Sequence, residues 1–413
     1  MKPSARQRSA FISITIKSVS SLVLFKITAV AFGTAGVTLL AHFQNLLGIV
    51  THLSREGISR GLTRILHSPH VPQKRKEQSV LTGFAYSTIL QVFSLSLIIL
   101  FRGFFLEHFS FHLSDRLFFL IFGISVLVYG ICIFLSSIIY SLGKLRFYLV
   151  INLAGALFLL ASVIWGANQP YIDFLLLAYA IGQAANLFVV LAGAFRFRVI
   201  SRNKSGISGK SIKKLSEFLL MALSVLLFTK LADFIVRDFA IETFGLHYTG
   251  LWQAVVKISD TYMDIFIATV GSVYYPQVTS LIFNSNHLRK YLKDMLGIVI
   301  PFSIAGLLLL YFLREPVVML VFSEAFDDAV HLFKFQLIGD FFCIISYLLT
   351  YIIAAQARTS LFILLQAGSA IFYIGLVVLL SQSHGIEAIP LAHAIRFGLF
   401  LVLLIILNKR MLF

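Results

Sequence analysis

Charge is scarce in this chain. Only 13% of its 413 residues are charged, against 59% hydrophobic, and the mean hydropathy is +0.91. A surface that poor in charge excludes an ordinary water-soluble domain, and apolar runs of about 20 residues recur, each long enough to cross a hydrocarbon core as a helix. Cysteine is almost absent: Cys132 and Cys343 each sit inside an apolar run, which excludes a disulfide framework and a thiol-ligated metal site. No nucleotide-binding loop, metal-ligand spacing or nucleophile triad is present, so no cofactor and no metal are expected, and the chain does not read as an enzyme. The fold class these absences leave is an all-α polytopic membrane protein.

Acidic residues are the scarcer sign, 18 against 34 Lys and Arg, for a net charge of +16. That excess could mark a nucleic-acid binder, but its placement argues otherwise. Spans are expected near 11–31, 35–54, 79–101, 117–140, 147–166, 174–195, 215–236, 249–272, 294–313, 329–353, 361–381 and 388–407. On that map 24 basic residues fall in the N-terminus, the even-to-odd loops and the C-terminus, 4 in the opposite loops and 6 inside spans. The positive-inside rule then places both termini in the cytoplasm. The clusters "PQKRK" (72–76) and "RFRVISRNKSGISGKSIKK" (196–214) serve as orientation signals beside anionic headgroups, and no nucleic-acid partner is expected. Lys2, Arg6 and Arg8 ahead of an apolar run ending in "AVA" (29–31) imitate a cleavable leader, but Lys17 and Lys26 interrupt that run, and the first helix is expected to be retained.

The chain repeats itself. "AFGTAGVTLL" (31–40) matches "TFGLHYTGLW" (243–252), with Phe32 on Phe244 and Gly36 on Gly250; "LAYAI" (177–181) returns as "LAHAI" (391–395); "FYLVINLAG" (147–155) resembles "LFILLQAG" (361–368). All three share one offset, close to 214 residues. Six helices per repeat give both halves the same orientation, as in parallel repeats related by an axis along the membrane normal. The expected division is a lobe at 1–200, a basic cytoplasmic linker at 201–214 and a second lobe at 215–413. Such an architecture suits a transporter whose site is exposed to each side in turn.

Polar residues inside the spans are arranged in stripes. Gln253, Lys257, Asp260 and Asp264 fall within an arc of about 60° on one helix face. Lys230, Asp233 and Arg237 keep the same spacing on the preceding span, and Thr38, His42, Asn45 and His52 on span two. Lys17 and Lys26 mark span one, and Asp340 and Arg396 mark spans ten and twelve. Each central charge costs about 2.5–3.5 kcal/mol in lipid, so the stripes are expected to line a wet interior. The alternative is that Lys257 with Asp260, and Lys230 with Asp233, are ion pairs at i,i+3 that only hold helices together. Fixed cations suit an anionic cargo, and the carboxylates Asp233, Asp260, Asp264 and Asp340 are left for coupling or for holding the lysines extended. Asp260 stands three residues from Lys257 and is placed to orient it. No basic residue stands three or four positions from Asp264, which makes it the candidate for proton exchange.

"GLWQAVVKISDTYMDIF" (250–266), "FGTAG" (32–36), "FLLMALSVLL" (218–227) and "FQLIGDFFCIISYLLTYIIAAQARTSLFILLQ" (335–366) together resemble the Wzx flippases of the multidrug/oligosaccharidyl-lipid/polysaccharide exporter superfamily. The nearest resemblance is to those that carry repeat units of enterobacterial common antigen (lipid III) and O-antigen. "LWQ…ISD.Y" and "LIGD" are its most specific parts. The resemblance implies a MATE-like V-shaped bundle of twelve helices in two six-helix lobes, in a bacterial inner membrane. It also implies transport of undecaprenyl-pyrophosphate-linked oligosaccharide from the cytoplasmic to the periplasmic leaflet by alternating access, as a step of lipopolysaccharide or common-antigen assembly. A polysaccharide polymerase and a chain-length regulator are the protein partners it suggests, with membrane lipids around. The substrate-binding candidates are then Lys26, Gln44, Asn45, Lys230, Gln253, Lys257 and Arg396. The chain departs from the resemblance at "HFQNL" (42–46), where relatives often carry a basic residue and Gln44 and Asn45 stand here; Lys257 is the candidate to supply that charge. Two rivals remain open: a drug or cation antiporter of the same fold, and a membrane polysaccharide polymerase or ligase, which would need larger outer loops than the roughly 15 residues available.

Overall fold

The computed structural model describes residues 5–67, 72–103, 115–197, 199, 209, 227–356 and 358–412. Among these every regular element is helical. In lipid a backbone donor or acceptor finds no water, so the chain satisfies its own amides along helices. Among the described residues, eight stretches are long and apolar enough to cross a membrane. Two of them, Phe11–Thr51 and Ser360–Leu407, are 41 and 48 residues long and hold two expected spans each. The described helices cover eleven of the twelve expected spans; the seventh, 215–236, is described from residue 227, and the segment "FLLMALSVLL" and the linker 201–214 lie almost wholly outside the described residues.

Helix α1, Ala5–His67, and helix α2, Gln73–Leu100, are followed by α3, Asp115–Ser141, and α4, Leu145–Ala167. Then come α5, Ile172–Ala185, and α6, Leu187–Arg196, which together occupy the sixth expected span. After the π-helical turn Leu227–Leu231 comes α7, Ala232–Thr269, closed by a second π turn, Val270–Tyr274, and the short α8, Tyr275–Leu281. The chain ends with α9 (Ser285–Phe312), α10 (Arg314–Val321), a 3₁₀ segment Glu324–Leu332, α11 (Phe333–Ala355), α12 (Thr359–His384), α13 (Ala388–Leu407) and α14 (Lys409–Leu412).

The repeat read from the sequence has a backbone counterpart. Helix α1 breaks at Gly33, with φ 61° and ψ −155°, and α7 breaks at Gly245, with φ 79° and ψ 171°. The two breaks stand 212 residues apart, within the matched turns "FGTAG" (32–36) and "FGLHYTG" (244–250). A positive φ strains any residue with a Cβ, so glycine lets each long helix fold back as a hairpin without strain at the turn.

The chain forms two compact units, one of Met1–Ser20 and Leu39–Phe234, the other of Ser21–Thr38 and Ile235–Phe413. The first is packed around Phe43, Phe118, Phe122 and Tyr179, whose rings lie 5.3–6.3 Å from that of Phe43. A further apolar cluster joins Ile58, Leu62, Phe134, Leu135, Ile139 and Val190. The second unit is centred on Tyr274, Val278, Leu288, Leu348, Leu349 and Ile352, with the Tyr274 hydroxyl donating to the Leu348 carbonyl at 3.0 Å. Large apolar side chains such as Phe283, Phe312 and Leu379 stand exposed, as lipid contact requires. Cys132 and Cys343 are free and buried.

Candidate functional site

Helix α7 beyond Gly245 carries the polar stripe, and the structure divides it. Gln253 is buried, Lys257 is half-buried, and Asp260 and Asp264 are exposed. The Gln253 Nε2 has no hydrogen-bond partner among the described residues. Lys257 places its ammonium 4.7 Å from the centre of the Phe25 ring. That cation–π contact helps to fix the position of the ammonium. Asp260 and Asp264 are each engaged in interactions of their own.

The other side of the same helix, roughly 120–180° away at 100° per residue, presents Ser259 and Tyr262 to Asp340 of α11. Asp340 is 2% exposed and takes four donors. Ser259 Oγ donates to Oδ2 at 2.6 Å, the Tyr262 hydroxyl donates to the same oxygen, and Gln336 Nε2 donates to Oδ1 at 3.1 Å. His393 Nε2, from α13, meets Oδ1 at 3.0 Å. Gly339 makes the approach possible: a Cβ there would lie 2.1 Å from the His393 ring. A buried carboxylate is tolerated when its lone pairs are filled in this way.

Arg396, one turn beyond His393, donates from Nε to Ser369 Oγ at 2.7 Å and lies 5.1 Å and 4.8 Å from the Tyr373 and Phe397 ring centres. Lys26 directs its ammonium to three backbone carbonyls, of Met319, Leu320 and Phe322, at 3.3, 2.9 and 2.6 Å. In the first unit, Asn45 Nδ2 donates to the Lys230 carbonyl at 3.3 Å, and the His42 ring stacks on Phe234 with centroids 4.4 Å apart. Lys230 and Asp233 are half-buried, Gln44 is half-buried beside buried Asn45, and Arg237 is buried. The His52 side chain lies outside the described residues.

The expected site residues therefore fall into groups with distinct surroundings. Lys26, Gln253, Lys257, Asp260, Asp264, Asp340 and Arg396 belong to the second unit, and Gln44, Asn45, Lys230 and Asp233 to the first. Ser259, Tyr262, Gln336 and His393 were not singled out by sequence, although all four lie in segments that drew attention: "ISD.Y", "FQLIGD" and "LAHAI". In the repeat, His393 takes the place of Tyr179 of "LAYAI", a histidine where the other half has a phenol. No cluster of His, Cys, Asp or Glu among the described residues could hold a metal ion.

No family model matches the chain. Its sequence is 26% identical over 390 residues to the Lipid III flippase of Escherichia coli (strain K12), covering 90% of each chain, and equally to that of Shigella flexneri. Among solved structures, an inward-facing multidrug resistance MATE family transporter of the MOP superfamily superposes with a TM-score of 0.70 at 11% identity, over 99% of this chain and 98% of that one. The Vibrio cholerae MATE transporter VcmN in its bent form gives 0.62 at 15%, over 99% and 97%. The lipid II flippase MurJ in an inward closed conformation gives 0.68 at 15%, over 98% and 87%. The chain is a multi-span membrane protein with the all-helical fold that these MATE transporters and MurJ share.

Proposed function

We propose that this protein is a flippase for a polyprenyl-pyrophosphate-linked oligosaccharide, carrying it from the cytoplasmic to the periplasmic leaflet of a bacterial inner membrane. The observation that carries the reading is full-length similarity to two Lipid III flippases, with 90% of each chain aligned. The geometry of α7 supports it. A cation held against an aromatic ring, with two exposed carboxylates one and two turns on, is suited to a pyrophosphate and the hydroxyls of a sugar chain.

In this reading Lys257 is the principal phosphate ligand, with Gln253 and Arg396 as further donors and Asp260 holding the lysine in place. Lys230, Gln44 and Asn45, in the first unit, are separate candidates for polar contact with the sugars. Both termini face the cytoplasm, following the distribution of basic residues. The protein works beside a polymerase and a chain-length regulator that consume its product. Transport needs no bound cofactor. An inside-negative potential favours outward movement of an anion by about 2.3 kcal/mol per charge per 100 mV.

The test is deletion of the gene followed by mass spectrometry of lipid-linked glycans in each leaflet. A polyprenyl-pyrophosphate oligosaccharide should accumulate on the cytoplasmic side and clear when the wild-type chain is restored. An unchanged leaflet distribution would remove the flippase reading.

A further inference from the structure

Two helix ends of the first unit meet at one aromatic ring. Helix α3 stops at Ser141, and Gly143, at φ 75°, turns the chain so that the Lys144 amide donates back to the Ile139 carbonyl at 3.2 Å. Glycine takes that conformation without strain. Helix α6 ends at Arg196 with the Phe197 amide donating to the Gly193 carbonyl and the Val199 amide to that of Ala194, both at 2.9 Å. Hydrogen bonds thus pin the backbone of both segments. The rings of Phe147 and Phe197 join them, with centroids 5.3 Å apart and edge to face. Phe147 lies directly against Gly193, where a Cβ would come within 2.2 Å of the ring.

Two cations share the Phe197 ring. The Lys144 ammonium is 5.4 Å from its centre and the Arg196 guanidinium 5.9 Å. Both residues are exposed, and neither makes a hydrogen bond or an ion pair with any of the described residues. Their donors are left for a ligand from outside the chain. A helix dipole accounts for Arg196, which stands in the last turn of α6, but not for Lys144, which caps the N-terminus of α4 where the dipole disfavours a cation. Arg146, exposed in the first turn of α4, adds to the excess, and that turn holds no acidic residue. Positive charge gathered in this way calls for an anion.

The surroundings decide which anion. Leu142 and Phe195, neighbours of the two cations in the chain, are 43% and 73% exposed, so the cations border an apolar surface at the end of membrane-spanning helices. A lipid supplies both an anionic head and hydrocarbon for that border.

We propose that Lys144, Arg196 and Phe197 form a binding site for the phosphate headgroup of an anionic phospholipid, whose acyl chains lie along Leu142 and Phe195. The ring holds the two cations near each other, and the phosphodiester meets one as a point charge and the other through its planar fork. The site lies wholly within the first unit and does not depend on the flippase reading.

The test titrates purified full-length protein with phosphatidylglycerol and, in parallel, with phosphatidylcholine, and follows the first bound lipid by native mass spectrometry. The wild-type chain should hold phosphatidylglycerol the more tightly. Lys144→Gln and Arg196→Gln should each weaken its binding about fivefold, the factor expected for one basic residue at an anionic surface. Phe197→Leu keeps every charge and should weaken it about threefold. Lys74→Gln removes an equal charge from another exposed position, at the start of α2, and should leave binding unchanged. Equal losses in Lys74→Gln and Lys144→Gln would show a diffuse surface attraction and overturn the site, as would full binding by the Lys144→Gln, Arg196→Gln double variant. If Phe197→Leu does not fold, the charge variants, all at exposed positions, decide. Free phosphate is the other source of the same chemistry: excess inorganic phosphate should leave the bound phosphatidylglycerol in place, and complete displacement would overturn the lipid assignment.

Discussion

Asp340 and His393 are 53 residues apart in sequence and meet at 3.0 Å inside the second unit, on helices α11 and α13 that pack closely because Gly339 has no side chain. Their contact is the centre of a five-residue polar cluster in a helical unit otherwise dominated by apolar side chains. The carboxylate binds α7, α11 and α13 together through Ser259, Tyr262, Gln336 and His393.

Removing the acceptor should therefore be costly. Asp340→Ala leaves four donors facing one cavity, and loss of one partner of a buried pair costs about 3–5 kcal/mol. Thermal unfolding in detergent should show a large fall in Tm for Asp340→Ala. Gly339→Ala, which drives a methyl group into the His393 ring, should also lower it. Asp260→Ala, exposed on the far side of α7, should stay within about 0.5 kcal/mol of wild type. Equal stability of Asp340→Ala and Asp260→Ala would show that the cluster holds nothing together.

The two helix breaks give a paired prediction. Gly33 and Gly245 have positive φ with extended ψ and open space where a Cβ would stand, so the cost of alanine is backbone strain alone, about 1–3 kcal/mol at each. Gly250 has a negative φ but the Thr34 backbone against it, so Gly250→Ala must move main chain and should destabilise more than either. The ranking is read from the midpoints of detergent thermal melts. Gly250→Ala melting above Gly33→Ala would reverse it.

Lys257→Ala should reduce the transfer of lipid-linked oligosaccharide in reconstituted vesicles at least about tenfold if the lysine binds pyrophosphate directly. Lys257→Arg should keep part of the activity, because a guanidinium retains both charge and donors. Protein yield and gel-filtration profile should be unchanged in both variants. Full transfer by Lys257→Ala would reduce the residue to its contact with Phe25.

The fold was largely legible in the sequence, and the physical reason is simple. Apolar runs long enough to span and the matched turns "FGTAG" (32–36) and "FGLHYTG" (244–250) are each written locally, and Gly33 and Gly245 break the chain inside those turns. The site was legible only in part. The stripe on α7 could be read because all its members lie on one helix. The cluster at Asp340 could not, because it joins three helices, and its members Ser259 and His393 look like ordinary core residues until Gly339 brings the backbones together. Lys26 shows the same limit: a lysine in a span reads as a ligand for an anion, and only the folded chain reveals that its partners here are the carbonyls at the end of α10.

The last prediction concerns which parts of the α7 stripe meet water. The four residues share one face, yet Gln253 is buried while Asp260 and Asp264 are exposed, so accessibility should change along the helix within three turns. Single cysteines placed at Gln253, Asp260 and Asp264, with Cys132 and Cys343 replaced, can be treated with a membrane-impermeant thiol reagent and with a lipid-soluble one. Exposure alone does not separate water from lipid, and the two reagents do, because the thiolate that reacts forms readily only in water. Asp260→Cys and Asp264→Cys should react with the impermeant reagent, since two carboxylates this close would each cost about 2.5–3.5 kcal/mol against lipid. Gln253→Cys should resist both reagents in the conformation described here. If Asp260→Cys and Asp264→Cys reacted only with the lipid-soluble reagent, the exposed end of the stripe would face hydrocarbon, and the binding role proposed for Lys257 would lose its aqueous surface.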